Sequence, residues 1–293
     1  MSRPLRLYLI LLAVLTCGWL VLRGGALAGT SARAGLPALA AVTALYGASH
    51  LLRILRLALL SLERRDKAFE LACAHALTAF PSSFLPFKTG ELLRLAALMR
   101  VYGHRRKAFA LWATERFGDV GVICAFILGL YLFDIDVPAT MRNVFVVFLL
   151  AGLAGLFALF AVARTFIYLN RHLVLVSHSR HGLFLLRISH AMRLLEMDIV
   201  RCLDGRVTAF LLLSVLIWVV ELGALTLFLR LADGDSDFAA MFASGLLASL
   251  PGKDAGEFGM CQSLALVVLT LIFLAAAALA ARLNSTRSLH VRA

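Results

Sequence analysis

Two carboxylates in this chain lie deep inside a long apolar run, where an ionised group is unfavourable. Glu115 and Asp119 follow Lys107 by eight and twelve residues, which places them roughly 12–18 Å along a helix that begins near that lysine. Their i, i+4 spacing puts both on one helix face, with Arg116 between them and turned to the side. Charges at membrane depth must be paired or wetted, so these residues either line a polar pathway or lock neighbouring helices together.

A second set of charges lies where proline and glycine interrupt the apolar stretch 68–100, between Pro81 and Gly90. A helix that restarts at Gly90 would point its free N–H groups at the break and favour an anion there. Glu91 either belongs to a binding site or simply complements that helix end. Arg94 follows one turn later, where it can pair with Glu91 or bind a phosphate.

A similar interruption divides the stretch 238–258. The two runs are Leu85-Pro86-Phe87-Lys88-Thr89-Gly90-Glu91 and Leu250-Pro251-Gly252-Lys253-Asp254-Ala255-Gly256-Glu257. Both read Leu-Pro-x-Lys and then, with one residue of gap, Gly-Glu. We expect Lys88 and Lys253 either to be satisfied by carbonyls of the broken helices or to bind a lipid headgroup, with Glu257 as the counterpart of Glu91.

Two uninterrupted apolar segments also carry ionisable residues. In the segment 37–61, we expect Arg56 to extend to the cytoplasmic membrane edge and Arg53 to lie deeper. His50 is expected to be a hydrogen-bonded core histidine, with a proton relay as the alternative. Glu221 lies near the centre of the segment 207–230, and no motif accounts for it.

The apolar segments define the class of protein. Hydrophobic residues make up 61% of the 293 positions, and they form runs close to the ~20 residues that cross a ~30 Å hydrocarbon layer. The predicted full spans are 5–22, 37–61, 107–133, 143–163, 207–230 and 259–281. The sequence therefore predicts an all-α polytopic membrane helix bundle, a single domain over residues 1–293.

Loop charges predict the orientation. Lys and Arg number 29 against 17 Asp and Glu, and the basic residues gather in loops between apolar spans, which favours an anionic membrane surface over nucleic acid as the partner. The loops predicted as cytoplasmic are the N-terminus, 62–67, 100–107, 164–206 and the C-terminal tail, whereas 134–142 and 231–238 are acidic and predicted on the far side. Both termini are then cytoplasmic, in a bacterial-type inner membrane.

This orientation constrains how the two interrupted stretches can pass through the bilayer. Because 62–67 and 100–107 lie on one side, 68–100 must enter the bilayer and return as a re-entrant hairpin. By the same logic 238–258 enters from the opposite face. The result is an inverted repeat with units at about 37–133 and 207–282, a layout in which broken helices meet near the midplane. The cytoplasmic connector 164–206 joins the two units.

Two segments leave alternatives open. Ala26-Leu27-Ala28 resembles a signal-peptidase site, but the first apolar run is longer than a usual signal segment, so we expect a retained first helix. The stretch 181–203 alternates leucines with arginines. It is either an amphipathic helix on the anionic leaflet or a connector helix packed on the bundle.

The motifs around the first interruption resemble those of a known family. They are the runs Pro86-Phe87-Lys88-Thr89-Gly90-Glu91-Leu92-Leu93-Arg94 and Glu115-Arg116-Phe117-Gly118-Asp119. The transmembrane region of lysylphosphatidylglycerol synthases/flippases and their stand-alone relatives carries Pro-x-x-x-Gly-Glu-x-x-Arg and then Glu-Arg-x-x-Asp on the next helix. With the topology, the resemblance covers most of the chain. In the second half Lys253 replaces a glycine of the family pattern Pro-Gly-Gly-x-Gly-x-x-Glu, and the role of Glu257 is less defined.

The resemblance implies translocation of an aminoacylated phospholipid, or of another glycolipid or isoprenoid lipid, between leaflets. It also implies that five residues line the pathway: Glu91, Arg94, Glu115, Arg116 and Asp119. The soluble aminoacyl-transferase domain of the two-domain members is absent from this chain, so lipid synthesis is not expected.

The leading hypothesis is therefore a lipid flippase or transporter rather than an enzyme, with membrane lipids as its partners. The phosphate would be bound by Lys88, Arg94, Arg116 and Lys253, and the balancing acids would be Glu91, Glu115, Asp119 and Glu257. No catalytic residue, metal site, cofactor or nucleotide motif is predicted. One alternative is a non-transporting subunit that scaffolds a lipid- or glycan-processing enzyme, and another is an intramembrane enzyme acting on a lipid phosphate. The sequence leaves self-association open.

Overall fold

The computed structural model describes residues 3–85, 89–133, 180–232 and 257–290, together with scattered positions between 142 and 168. The chain is helical through these ranges, and no strand occurs in them. The main helices are α1 (Arg3–Ala34), α2 (Leu36–Leu60), α3 (Ala68–Phe84), α4 (Thr89–Tyr102), α5 (Arg105–Leu132), α6 (Arg180–Leu203), α7 (Val207–Ala232) and α8 (Glu257–His290), and a 3₁₀ turn, Leu62–Lys67, joins α2 to α3.

Four helices are long and apolar enough to cross a membrane. They are Leu5–Gly29, Leu36–Leu60, Val207–Phe228 and Phe258–Ala280. They correspond to four of the six predicted spans, and the first runs further than the predicted 5–22, because α1 continues through Ala26-Leu27-Ala28. An integral membrane protein is therefore supported by length and composition.

The other two predicted spans differ from these four. The span 107–133 corresponds to α5, a helix of 28 residues that ends at Leu132, but charged side chains interrupt its apolar run. The span 143–163 is described only in part, with a short apolar helix Phe145–Gly155 whose Phe145 packs against Ile123 and Ile127 of α5. The count of six spans stays a prediction.

Helices α2 and α7 form the centre of the bundle and run antiparallel. Leu39 and Val42, near the start of α2, pack with Phe228 near the end of α7. At the opposite end, Leu57 of α2 packs with Phe210 near the start of α7. The antiparallel arrangement brings the middle of α2 against the middle of α7.

Helices α3 and α4 form an antiparallel hairpin within the interrupted stretch. At its closed end the Ser82 hydroxyl donates to the carbonyl of Gly90, at 3.1 Å. At its open end Lys67 Nζ donates to the carbonyl of Val101, at 2.7 Å. A Cβ built on Gly90 would lie 2.5 Å from Ser82 Cβ and 2.6 Å from Ser82 Cα, so only glycine permits this approach.

The break between these helices lies within the predicted interval from Pro81 to Gly90 but begins later than Pro81, because α3 continues to Phe84. Proline cannot donate to the carbonyl four residues earlier, which belongs to Leu77. The hydroxyl of Tyr8 in α1 donates to that carbonyl instead, at 2.8 Å. The freed backbone group is therefore satisfied by a neighbouring helix, as an apolar environment requires.

Helix α6 packs on α5 through one face. Ile199 is buried against Ala110 and Ala113 of α5, and Arg106 Nε donates to Asp198 Oδ2 at 2.5 Å. Of the two alternatives for the stretch 181–203, this contact favours the helix packed on the bundle. Leu183, Phe184 and Val200 of α6 are exposed.

Candidate functional site

A continuous ion-pair network occupies the middle of the bundle. It joins eight side chains from α2, α4, α5 and α7, namely Arg53, Arg56, Glu91, Arg94, Glu115, Arg116, Asp119 and Glu221. Seven of the ten predicted site residues are among them. The eighth member, Arg56, was expected elsewhere.

Asp119 is the hub of the network. Its carboxylate lies 2.7 Å from Arg56 Nη1, 3.1 Å from Arg116 Nη2 and 3.4 Å from Arg53 Nη1. The side chain is 7% exposed, so three guanidinium groups replace the water that an isolated carboxylate would require. Gly118 beside it allows α7 to approach, since a Cβ there would lie 2.4 Å from Phe210 Cζ.

Glu115 is the most deeply buried acid of the network, with no exposed side-chain area. Arg94 Nη2 donates to its Oε2 at 2.7 Å, and Arg56 Nη2 lies 4.0 Å from its Oε1. Arg94 was expected to pair with Glu91 or to bind a phosphate. The structure pairs it with Glu115, because α4 and α5 run antiparallel and set Arg94 opposite that residue.

Glu91 lies at the most accessible point of the network. Its carboxylate accepts from Arg116 Nη1 at 3.2 Å and from Trp112 Nε1 at 3.0 Å. The side chains of Arg116 and Glu91 are 27% and 32% exposed. The other ion pairs of the network, in the residues described, are more enclosed, so a ligand would first reach the network here.

Glu221 closes the network on the α7 side. Its Oε1 accepts from Arg53 Nη2 at 2.8 Å and from the Ser49 hydroxyl at 2.9 Å. The acid that no motif explained is thus the counter-ion of Arg53. Its place near the middle of α7 agrees with its predicted position in that span.

Arg56 corrects an expectation. It does not extend to the membrane edge, because its side chain is fully buried and donates to Asp119 at 2.7 Å and to Ser214 Oγ at 3.0 Å. The helix face that carries Arg53 and Arg56 points at α5 and α7 rather than at lipid. Two internal acceptors outweigh the solvation that the long side chain could reach at a helix end.

Other partners were also missed by sequence reasoning. Trp112 precedes Arg116 by one turn, so its position on the same face of α5 was a usable signal. For Ser49 and Ser214 the sequence held no usable signal, since the hydroxyl of a serine in an apolar helix usually donates to the backbone of its own helix. His50 is hydrogen-bonded as predicted, and its Nδ1 lies 3.3 Å from Nε2 of His75 in α3.

Three predicted site residues cannot be placed. Lys88 and Lys253 lie outside the described residues, as does most of the second interrupted stretch. Glu257 begins α8, but its side chain is outside the described part of the structure. The pairing of the two lysines with a common ligand therefore stays a prediction.

The network is electrically balanced. Four arginines (Arg53, Arg56, Arg94 and Arg116) face four acids (Glu91, Glu115, Asp119 and Glu221) within the described residues. Its hydrogen-bonding capacity is not exhausted, however. Among those residues, the Nε atoms of Arg56, Arg94 and Arg116 are buried without a hydrogen-bond partner. The cluster therefore keeps N–H donors that no acceptor uses, and an anion bound to them would add charge that something must compensate.

Comparisons with protein-family models, with curated proteins and with solved structures found no match to this chain.

Proposed function

We propose that the protein is a membrane lipid transporter that moves a lipid with a charged headgroup between leaflets. The observation that carries the proposal is the buried network itself. Eight charged residues meet in the interior of a bundle of largely apolar helices, and such residues in membrane proteins usually mark a transport pathway.

The pair Glu91–Arg116 is the proposed entrance. A phosphate or carboxylate of the headgroup would take the place of the Glu91 carboxylate on Arg116 Nη1 and Trp112 Nε1. Both groups are donors and suit an oxyanion. Glu91 belongs to the first turn of α4, so a small movement of the hairpin would open or close the position. Lys88 and Lys253 are proposed to complete the phosphate site.

The geometry of the α3–α4 hairpin supports the proposal that the protein is a transporter. Helix α3 has 17 residues and α4 has 14, and each is shorter than the ~20 residues of a full span. We therefore propose that the pair enters the bilayer and returns, and that 238–258 does so from the other face, which gives the inverted repeat. The resemblance to the lysylphosphatidylglycerol flippase region agrees with this reading but does not identify the lipid.

Reconstitution in vesicles tests the proposal. Fluorescent phosphatidylglycerol, an aminoacylated phosphatidylglycerol and an isoprenoid phosphate would be placed in one leaflet and their exchange followed. We expect exchange of at least one of them, reduced tenfold or more by Arg116→Gln. The matched control is Arg105→Gln, an exposed arginine at the start of the same helix, which should exchange lipid at the wild-type rate. Equal rates for the two folded variants would defeat the assignment.

A scaffold for a lipid-processing enzyme is the second candidate, because every arginine of the network already has a carboxylate partner. A purely architectural lock would show this balance. Glu115→Gln separates the two functions. A scaffold variant that still folds should keep the function of the enzyme that it supports, whereas a transporter variant should lose lipid exchange.

A further inference from the structure

Two histidines, the half-buried His50 and the buried His75, stand beside the ion-pair network without joining its ion pairs. His50 of α2 lies one turn before Arg53, and His75 of α3 is 2% exposed. Nδ1 of His50 is 3.3 Å from Nε2 of His75, and their ring centroids are 5.5 Å apart. One proton therefore lies between the two rings, on one nitrogen or the other.

The outer nitrogens of this pair have no partner among the described residues. They are Nε2 of His50 and Nδ1 of His75, and both are buried. Suppose that His50 donates the shared hydrogen bond: its Nε2 is then a bare acceptor and His75 Nδ1 is a protonated donor. The opposite tautomers reverse these roles. Either way the pair leaves one buried donor and one buried acceptor unused, which is unfavourable for a purely structural contact.

The surroundings of the pair contain charges from each neighbouring helix of the network. Tyr46 and Arg53 face it from α2, with Glu221 of α7 behind Arg53. Arg94 of α4 and Arg116 of α5 also act on it electrostatically. On the α8 side, Thr270 lies opposite α3 and donates to the carbonyl of Ala76 at 3.5 Å. A proton on the pair thus adds a positive charge beside a network that is otherwise neutral.

We propose that the His50–His75 pair binds and passes the proton that compensates the charge of an anionic headgroup, so that lipid exchange is coupled to proton movement. The inference rests on the proposed function and adds its coupling ion. A neutral network plus one anion is unbalanced by one negative charge. One proton on the histidine pair restores the balance, so lipid and proton travel in the same direction.

The passage of the proton needs no other reactant. A proton binds the bare outer nitrogen of one ring and makes it an imidazolium. The shared proton then moves across the N–H···N bond to the second ring, which releases its own outer proton once a helix movement opens that buried nitrogen to water. Each ring ends as the opposite tautomer, with one proton gained at one end and one lost at the other. Ring reorientation or the reverse transfer resets the pair.

The main test is exchange of phosphatidylglycerol in vesicles under a pH gradient. Coupling of one proton to one lipid predicts that a gradient of one pH unit supports about a tenfold ratio of lipid between leaflets, with accumulation on the alkaline side. A pH-sensitive dye should record proton entry together with the lipid. In His50→Gln and His75→Gln we expect the ratio to return to one and the proton signal to disappear.

His104→Gln and His190→Gln are the matched controls, because both histidines are exposed and lie outside the network. They should keep the tenfold ratio. Nitrogen-15 spectra of histidine-labelled protein in nanodiscs give a readout that does not depend on transport. We expect the imidazolium signal of the pair to grow when phosphatidylglycerol is added, and to be lost in His75→Gln.

The outcomes separate the two proposals. If the wild-type protein exchanges none of the lipids, the proposed function is wrong and the coupling falls with it. If lipid is exchanged but the gradient has no effect, or the His75→Gln protein responds to it as the wild type does, the proton role alone is wrong. Thermal unfolding and gel filtration would show that each variant is folded before it is compared.

Discussion

The two sides of the bundle are held together by different chemistry. On one side α2, α4, α5 and α7 meet through the ion-pair network. On the other side α1, α3 and α8 meet through an apolar cluster, in which Trp19 and Phe80 pack edge to face with centroids 6.1 Å apart, and in which Val267 of α8 is fully buried. The helices of this second side bind one another without an ion pair between them in the described residues.

The difference bears on why the charges are present. Membrane helices associate through close packing and a few hydrogen bonds, and the contacts of α1, α3 and α8 show that this chain does so. Three helices of this chain therefore pack without ion pairs between them in the described residues, and ionised residues carry a desolvation cost that an apolar contact avoids. The contrast favours a functional reason for the network over a purely architectural one.

The largest expected effect on stability comes from breaking the deepest ion pair. Arg94→Met leaves Glu115 fully buried, with Arg56 at 4.0 Å as its nearest remaining cation. We expect a loss of about 3–5 kcal/mol in unfolding free energy, because an uncompensated charge stays in the apolar interior. Denaturation in mixed detergent micelles, followed by tryptophan fluorescence, measures it.

The control is the double variant Arg94→Met/Glu115→Gln, which removes both charges and should recover most of that loss. It should remain inactive in lipid exchange. A single variant less than 1 kcal/mol below the wild type would show that water already solvates Glu115.

A cavity on the apolar side should give the next largest effect, with a different signature. Leu266 of α8 is 4% exposed, and Leu266→Ala should destabilise by roughly 2–4 kcal/mol through lost packing. Exchange per folded molecule should be unchanged, since no ionised residue is touched. If Leu266→Ala also lowered lipid exchange per folded molecule, the apolar cluster and the ion-pair network would not have the separate roles described above.

A smaller effect is expected at the contact of α5 with α7. Gly118→Ala would place a Cβ 2.4 Å from Phe210 Cζ and 2.9 Å from Ser214 Oγ, which we expect to destabilise by about 1–3 kcal/mol. Gly121→Ala on the same helix meets nothing within 4 Å, and should be neutral or stabilising by up to about 1 kcal/mol. Equal melting temperatures for the two variants would contradict the close approach of these helices.

The smallest effect is expected where an ion pair lies at the surface. Arg106 is 46% exposed while it pairs with Asp198 of α6, so solvent screens most of the interaction. Arg106→Ala should lower the free energy of unfolding by no more than about 1 kcal/mol. The loss should be smaller at high salt, which screens the ion pair. Chemical denaturation at two salt concentrations checks it, and a loss as large as that of Arg94→Met would contradict the distinction between buried and surface pairs.

The sequence predicted the positions of the helices well, but it did not predict which charged side chains pair with each other. Long apolar runs located α2 and α7, and the i, i+4 spacing placed Glu115 and Asp119 on one inward face. Both signals are local, since they follow from helix geometry and hydrophobicity. The interruption was predicted from Pro81 to Gly90, but α3 continues to Phe84, because Tyr8, far away in sequence, satisfies the carbonyl that Pro81 leaves free.

The choice of ionic partners depends on which helices are neighbours. Arg56 could not be assigned to the interior without knowing that Asp119 and Ser214 face it. Arg94 likewise has Glu91 beside it in sequence but Glu115 opposite it in space. Such information resides in tertiary packing and has no periodic signature along the chain.

Four arginines matched by four carboxylates make the network a neutral body in an electric field. A membrane potential of 100 mV acts on one unmatched elementary charge with about 2.3 kcal/mol, but it does no net work on a group of charges that sums to zero and moves together. A movement that carries all eight residues together is therefore electrically silent, whereas a shift of α2 alone, which carries Arg53 and Arg56, would respond to the voltage across the membrane.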